Sequence, residues 1–377
     1  MDWPFVSVVI PTYGREDALH DTIKDCLELD YPGFEVIVVD QKPSHQPALQ
    51  AWMDQLAADG KIQLHSLDWA SLPGARNYAV RRAKGDILIF IDDDVRLEKN
   101  YIQTHAKVFL ERPEVGAVAG RVFDRMKLAD AKRYGSQAEQ PAQVAASVVS
   151  VAAVSVSSST AASGPLSEGQ SCCGGASTEA KEPVIQDLPP EAMDPGIAWY
   201  HLDLVHTVKA QRVLTARGCN MSFRREIFDQ HGIFFDERFE GSAVREESDF
   251  CLRIRKTGYQ IWYEPQASLV HVGEESGGCH DVSTRSLKYQ FTFYHNHFLM
   301  GLKNLTPGQC CRFFAKLFDC HVLGHPPCYK SPSLRKTLVR GAFYSFGFLK
   351  AGLTVLKSVW DHGQIYSRQD PLFGKSA

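Results

Sequence analysis

Short apolar runs alternate with helical patterns over the first 125 residues of the chain. Four of these runs have the length of buried strands: Phe5–Ile10, Phe34–Asp40, Lys61–His65 and Asp86–Ile91. Apolar residues at helical spacing predict a helix around Leu19 to Leu27, and a second helix is predicted over Ala75–Lys84, with Gly85 as its cap. Strands that alternate with helices predict an α/β fold with a mainly parallel sheet, which binds its ligands at the carboxyl ends of the strands.

The pattern changes after Lys132, and the changes divide the chain into four parts. No aromatic residue occurs from Gly135 to Gly196, where Ala, Ser and Val dominate, so residues 133–196 are predicted to be a mobile insertion in a fold that begins with residues 1–132. Residues 197–283 return to globular patterning, and residues 284–377 are aromatic-rich and mostly helical. Within 197–283 we predict two helices, Arg224–Gln230 and Glu246–Thr257, and two strands, Tyr259–Tyr263 and Ala267–His271.

Composition and charge exclude some classes of function. The chain of 377 residues is 44% hydrophobic and has a net charge of -3, so no basic excess indicates a nucleic-acid partner. No basic and apolar signal segment is recognisable at the start of the sequence, which leads us to expect a cytoplasmic protein. The apolar stretch Gly341–Trp360 contains Lys350 and Lys357, so it is expected to be a buried or interfacial helix that does not span a membrane.

Three adjacent carboxylates, Asp92, Asp93 and Asp94, directly follow the predicted strand that ends at Ile91. Such carboxylates repel one another unless a cation or protons neutralise them, and Mg²⁺ or Mn²⁺ prefers oxygen ligands. In an extended chain Asp92 and Asp94 share a face while Asp93 points away. A solvated acidic turn would explain the triplet equally well, but its position at the carboxyl end of a buried strand favours a metal site.

Other polar residues follow the predicted strands. Asp40 ends the second strand, where a carboxylate can accept a hydrogen bond from a nucleobase or a ribose, although a simple turn residue is the alternative. The segment Pro11-Thr12-Tyr13-Gly14-Arg15 follows the first strand and offers hydroxyls and a cation. Arg76 and Asn77 lie near a helix start, a favourable position for a phosphate. The phosphate-binding glycine motifs of dinucleotide dehydrogenases and P-loop enzymes are absent from the sequence after the first strand.

An acidic block and a histidine complete the candidate chemistry. Glu246, Glu247 and Asp249 open a predicted helix, where they either stabilise the helix dipole or supply a base that deprotonates a hydroxyl group. His271 ends a predicted strand and is followed by a glycine-rich stretch. A lone histidine is usually a satisfied polar residue, but one at a strand end near a proposed metal site is also a candidate ligand.

Taken together, these motifs resemble the family 2 glycosyltransferases, which share the GT-A fold. The matching segments are Val6–Arg15, Glu35–Asp40, Gly74–Asn77, Gly85–Asp94, Arg217–Arg224, Phe235–Glu237, Glu246–Arg253, Gly258–Tyr259 and His271. The resemblance covers roughly residues 5–125 and 212–280, and more weakly the region Tyr294–His297. It implies that residues 1–132 and 197–283 are the nucleotide-sugar-binding half and the acceptor and catalytic half of one GT-A domain.

The resemblance also implies roles for individual residues. Thr12, Tyr13, Asp40 and Arg76, with Pro11, Arg15 and Asn77 beside them, would hold the nucleotide, and Asp92 or Asp93 would hold the ribose and diphosphate. Asp94 and His271 would bind Mn²⁺ or Mg²⁺, and Gly218 with Asn220 would line a sugar pocket. The family pattern commonly has Glu-Asp where this chain has Glu246-Glu247, so Glu247 is the expected base and Asp249 the reserve.

The implied function is metal-dependent transfer of a sugar, with inversion, from a UDP-, GDP- or dTDP-linked donor to the hydroxyl of a glycan or lipid-linked acceptor. Peripheral membrane contact through the apolar C-terminal helices is a further expectation. Two alternatives are a sugar-nucleotide pyrophosphorylase, which would usually have a basic glycine-rich loop in place of Pro11–Arg15, and a non-catalytic protein that binds nucleotide sugars. The carboxylates of both acidic groups disfavour the second alternative.

Overall fold

The computed structural model describes residues 2–42, 44–124, 190–200, 209–274, 287–325 and 333–362. In these residues nine strands form one sheet that is flanked by helices. The strands are β1 (Val6–Thr12), β2 (Phe34–Asp40), β3 (Gln63–Ser66), β4 (Ile87–Ile91), β5 (Val95–Leu97), β6 (Val115–Asp124), β7 (Gln211–Val213), β8 (Asn220–Arg224) and β9 (Gln260–His271). The helices are α1 (Asp17–Leu27), α2 (Pro47–Ala58), α3 (Leu72–Val80), α4 (Tyr101–Glu111), α5 (Glu226–Asp229), α6 (Glu246–Arg255), α7 (Leu287–Asn304), α8 (Pro307–Leu317) and α9 (Leu334–His362).

The sheet is mixed, with order β3-β2-β1-β4-β8-β6-β9-β5 and β7 paired to β9. Strands β3, β2, β1 and β4 run parallel to one another, so their carboxyl ends meet at one edge. Strand β8 runs antiparallel to β4, and β5 pairs antiparallel with β9 so that Val95 lies opposite His271. This last pairing brings the end of β9 beside the segment that follows β4.

Apolar side chains cover both faces of the sheet. On β1, Val6, Val8 and Ile10 belong to one buried cluster, while Val9 belongs to another, as the alternation of a strand requires. The first cluster includes side chains of α1, α2 and α4, and the second includes side chains of α3 and α6. The expected α/β fold, with a sheet between helical layers and a helical C-terminal region, is confirmed.

The C-terminal helices build a third cluster of buried apolar side chains, to which α7, α8 and α9 contribute. Helix α7 packs against both α6 and α9, and it therefore connects the C-terminal region to the sheet domain. Among the described helices, none is long and apolar enough to cross a membrane.

Several elements differ from the sequence predictions. Helix α3 begins at Leu72, where Ser71 caps it with an Oγ that accepts from the Gly74 amide, and it ends well before Gly85. Gly85 is therefore not a helix cap; a Cβ at this position would meet the Ser7 nitrogen at 2.4 Å, so the glycine allows two backbones to approach each other. The two predicted strands after residue 258 form the single strand β9. Of the predicted helix over Arg224–Gln230, only Glu226–Asp229 is helical, and it forms the short α5.

The predicted insertion spans residues 133–196, and residues 133–189 of it lie outside the described residues. Residues 190–193 and 198–200 form short 3₁₀ turns.

Candidate active site

The polar residues singled out in the sequence lie at the carboxyl edge of the parallel strands. Thr12 ends β1 and pairs in register with Asp40, which ends β2. Asp92, Asp93 and Asp94 follow β4, the other neighbour of β1. Because the strands run in the same direction, residues that are far apart in the sequence converge at one edge of the sheet.

Asp92, Asp94 and His271 form a cluster with the composition of a metal site. One ligand atom from each residue lies within 4.8 Å of the others, and His271 Nε2 is 3.3 Å from Asp94 Oδ1 and 3.9 Å from Asp92 Oδ2. Two carboxylates and an imidazole suit a divalent ion such as Mn²⁺, and water or a diphosphate oxygen can complete its coordination. The donor set therefore fits the ion that the sequence resemblance implies.

Asp94 is held so that one of its oxygens faces this cluster. Its Oδ2 accepts from Arg15 Nη1 at 2.5 Å and from the Glu274 amide at 3.0 Å, while Oδ1 faces His271. Burial opposes ionisation of Asp94, but His271 and Arg15 outweigh burial and hold the pKa of its carboxyl below the usual range. Arg15 thus contacts a candidate metal ligand and orients it.

Asp93 points away from the cluster. Its Oδ2 accepts from Thr12 Oγ1 at 2.6 Å, and Arg15 Nε lies 3.8 Å from Oδ1. Burial raises the pKa of Asp93 to about 7, the Arg15 charge works against this rise, and the Asp94 charge adds to it. Asp93 therefore ties the end of β1 to the segment that follows β4.

Arg76 links the metal cluster to the acidic block. Its guanidinium is fully buried and forms an ion pair through Nη1 with Glu246, while Nη2 lies 3.8 Å from Asp92 Oδ1. The same Nη2 donates to the Gly218 carbonyl at 2.9 Å. The Arg76 guanidinium therefore lies between Glu246, the first residue of α6, and the candidate metal ligand Asp92.

The three carboxylates of the acidic block have different surroundings. Glu246 is buried against Arg76, and Asp249 is fully buried between Lys303 at 2.6 Å and Arg253 at 2.9 Å. Burial opposes the charge of Asp249, but Lys303 and Arg253 keep its pKa lowered. Glu247 is partly exposed and accepts a hydrogen bond from Ser248 Oγ at 3.2 Å.

Asp40 is held by groups that the sequence analysis did not identify. Its Oδ1 accepts from the Lys42 amide at 3.0 Å, and its Oδ2 lies 3.1 Å from His45 Nε2. The other nitrogen of His45 lies 3.1 Å from Glu16 Oε1. Residues 42–45 have no periodic pattern, so no sequence signal indicates His45 as a partner of Asp40.

Two predicted binding residues are committed to structural contacts. Asn77 Nδ2 donates to the Phe235 carbonyl and to Glu237 Oε1, and its Oδ1 accepts from the Phe235 amide. Asn220 Nδ2 donates to the carbonyls of Arg121 and Ala267, and its Oδ1 accepts from Tyr101. Both side chains are fully buried, so the geometry gives neither of them a free amide for a ligand.

The segment that follows β1 has one exposed side chain. Pro11 is buried within β1, opposite Val39, whereas Tyr13 is 37% exposed. Lys42 Nζ lies 5.7 Å from the centre of the Tyr13 ring. Tyr13 is therefore open to a ligand at this edge, and Pro11 shapes the strand end.

The sequence of residues 7–144 matches the family model described as Glycosyl transferase family 2. The match covers less than half of the 377-residue chain. The family 2 segment runs from β1 past β6, so it contains Asp40, Arg76 and the three aspartates, while Glu247 and His271 lie beyond it.

Two curated glycosyltransferases are similar to part of the chain. It is 30% identical over 112 residues to the putative teichuronic acid biosynthesis glycosyltransferase TuaG of Bacillus subtilis (strain 168), covering 29% of this chain and 43% of TuaG. It is 36% identical over 112 residues to the amylovoran biosynthesis glycosyltransferase AmsB of Erwinia amylovora, covering 29% of this chain and 36% of AmsB. The matched segments thus span less than half the length of each relative.

Among solved structures, the mannosyltransferase PcManGT from Pyrobaculum calidifontis, in complex with GDP-Man and Mn²⁺, aligns over 96% of this chain and 89% of its own. The TM-score is 0.46 and the sequence identity 15%.

Proposed function

We propose that this chain is a GT-A glycosyltransferase of polysaccharide biosynthesis that transfers a sugar from a nucleotide-sugar donor to an acceptor hydroxyl. The observation that carries the proposal is the cluster of Asp92, Asp94 and His271 at the carboxyl edge of the sheet, joined by Arg76 to the start of α6. The family 2 match and the polysaccharide functions in the names of TuaG and AmsB support the same reaction class.

The donor would lie along the edge formed by β1, β2 and β4. We propose that Tyr13 and Asp40, with Thr12 beneath them, meet the nucleoside, and that its diphosphate reaches Asp92 and Asp94. Bound Mn²⁺ or Mg²⁺ would neutralise charge on the departing diphosphate. Arg15 would keep Asp94 Oδ1 turned toward the ion, because it occupies the other oxygen.

Glu247 is the proposed base of an inverting, single-displacement reaction. Its carboxylate would take the proton of the acceptor hydroxyl, whose oxygen attacks the anomeric carbon from the side opposite the nucleotide. The partial exposure of Glu247 supports this choice, because an acceptor can reach it. Glu246 and Asp249 are less suited, since each is buried in an ion pair. The acceptor would be a glycan or lipid-linked sugar.

The first experiment measures hydrolysis of UDP-, GDP- and dTDP-sugars with Mn²⁺ or Mg²⁺, and transfer to a panel of alkyl glycosides. We expect Glu247→Gln to lower transfer roughly 100-fold or more while leaving donor affinity within a few-fold of wild type, because only proton removal is lost. We expect Asp94→Asn to abolish the metal-dependent part of donor binding. Glu111→Gln, an exposed carboxylate on α4, serves as the matched control.

Four results would contradict the proposal. Donor binding that is unchanged by chelation and by Asp94→Asn would remove the metal from the mechanism. Transfer that survives Glu247→Gln would assign the base elsewhere, and a product with the anomeric configuration of the donor, determined by NMR, would exclude inversion. Formation of nucleotide sugar from a sugar phosphate and a nucleoside triphosphate would favour a pyrophosphorylase instead.

A further inference from the structure

Helix α9 has two faces with opposite surroundings. One face packs on α7, with Ala351 and Ser358 buried and Gly347 against Tyr294. The opposite face, which we call the outer face of α9, is apolar and between 59% and 90% exposed. It consists of Leu338, Phe346, Leu349, Leu353, Leu356 and Trp360.

The outer face forms a continuous stripe. From Phe346 to Trp360 its residues recur at alternating intervals of three and four, which places them on one side of a helix. The stripe is about 21 Å long at 1.5 Å per residue. Exposed apolar patches of this kind on a folded protein mark a surface for a protein or a membrane.

The charge around the outer face distinguishes between these two occupants. Helix α9 carries five basic residues and one acidic residue, Asp361, although the whole chain has a net charge of -3. Arg335, Lys336 and Lys357 are exposed. A second copy docked on this face would bring two positively charged helices together, whereas an anionic lipid surface would attract them.

We propose that the outer face of α9 lies in the interface of an anionic membrane, with its leucines and Phe346 among the acyl chains. The exposed bases would contact the lipid headgroups, and Trp360, at the end of the stripe, has the amphipathic ring that is enriched at this depth. Helix α9 lies on the membrane and does not cross it, in agreement with the absence of a spanning helix among the described residues. This inference does not depend on the proposed transferase activity.

The test is co-sedimentation of the full chain with vesicles of phosphatidylcholine that contain or lack phosphatidylglycerol. We expect Leu349→Gln, Leu353→Gln and Leu356→Gln together to lower binding tenfold or more, because glutamine keeps the helix propensity of leucine but removes the apolar side chain. A double variant of Leu110→Gln and Met193→Gln, at exposed apolar positions outside α9, should bind as wild type does.

The basic residues give a second, independent readout. Replacing Arg335, Lys336 and Lys357 by glutamine should weaken binding to the anionic vesicles by about fivefold per residue. The same replacements should leave any binding to pure phosphatidylcholine unchanged. Raising the salt concentration should reproduce the effect in the wild-type chain.

Failure of the wild-type chain to bind anionic vesicles, or equal binding by the leucine variant, would overturn the proposal. A dimer in vesicle-free buffer that the leucine variant converts to a monomer, without vesicle binding, would assign the face to a second copy. Thermal unfolding of each variant separates loss of the surface from loss of the fold. Donor hydrolysis, measured without vesicles, tests the transferase proposal separately.

Discussion

Asn220 shows at the scale of single residues how a side chain can match a functional motif and yet serve the fold. Its amide joins β6, β8, β9 and α4 through four polar partners, which are the carbonyls of Arg121 and Ala267 and the side chains of Tyr101 and His105. Asn77 similarly fixes Phe235 and Glu237. Both amides therefore hold in position the chain segments around the candidate active site.

We predict that Asn220→Ala lowers the free energy of unfolding by roughly 3 kcal/mol, because it leaves buried donors and acceptors without partners. Urea unfolding measures this loss. Asn100→Ala is the matched control, since Asn100 is exposed and its side chain does not cap α4, and it should change stability by less than about 0.5 kcal/mol. An equal effect of both substitutions would contradict the structural role of Asn220.

At the scale of elements, the contact between α7 and α9 depends on one glycine. A Cβ at Gly347 would lie 2.6 Å from Tyr294 Cβ and 2.9 Å from the His295 nitrogen, so the two helices approach closely there. At Gly352, on the same helix, a Cβ would meet nothing within 4 Å. The same substitution should therefore have opposite effects at these two positions.

We predict that Gly347→Ala destabilises the protein by about 1–3 kcal/mol through overpacking. Gly352→Ala should stabilise it by up to about 1 kcal/mol, because alanine is the better helix former. Thermal unfolding of the two variants under identical conditions tests the pair. Stabilisation by Gly347→Ala would show that the helices do not pack as closely as described.

Helix α7 also supports the segment that precedes α6. Asn296 donates to the Glu240 carbonyl, and Arg245 Nε lies 3.2 Å from His297 Nε2. Ala243 and Arg245 adopt left-handed backbone conformations, with φ of 51° and 75°, which are uncommon for non-glycine residues. The region Tyr294–His297, whose sequence resembles the family only weakly, thus contacts the segment that leads into α6, the helix that carries Glu247.

At the scale of the whole molecule, a buried ion cluster joins the C-terminal helices to the sheet domain. Lys303 of α7 pairs with Asp236 and with Asp249 of α6, and all three side chains are buried. Burial opposes both carboxylate charges, but Lys303, together with Arg238 at Asp236 and Arg253 at Asp249, outweighs it and keeps the pKa values of both carboxyls below their usual range.

We predict that Lys303→Met lowers the free energy of unfolding by about 3–5 kcal/mol, since it leaves two buried carboxylates without their shared cation. Lys316→Met removes a partly exposed pair with Asp319 and should cost no more than about 1 kcal/mol. Denaturant unfolding at pH 7 measures both changes. Similar losses for the two variants would contradict the importance of the buried cluster.

The same cluster predicts the response of the protein to acid. Because Asp236 and Asp249 have lowered pKa values in the folded state, they stabilise it above the pKa of about 4 that an unfolded aspartate has. This stabilisation is lost as the pH falls further, because the unfolded chain takes up protons first. Melting temperatures between pH 3 and pH 7 should fall less steeply on acidification in Lys303→Met than in wild type.

The sequence by itself determined the α/β class, the four parallel strands and the position of the acidic triplet. Alternating apolar runs specify buried strands, and residues that follow parallel strands must meet at one edge whatever the details of packing. For that reason the sequence alone predicts that Thr12, Asp40 and Asp92 to Asp94 lie at the same edge of the sheet.

Only the tertiary structure decided which of the candidate side chains have free polar groups. In the sequence, Asn77, Asn220 and Asp249 lie in segments that resemble the family, as Glu247 does. They differ from Glu247 because residues of distant segments bind their side chains. The sequence left open whether the apolar stretch Gly341–Trp360 is buried or interfacial for the same reason, because an apolar helix face is buried or exposed according to what packs against it. Local patterns fix elements, but burial and pairing are properties of long-range contacts.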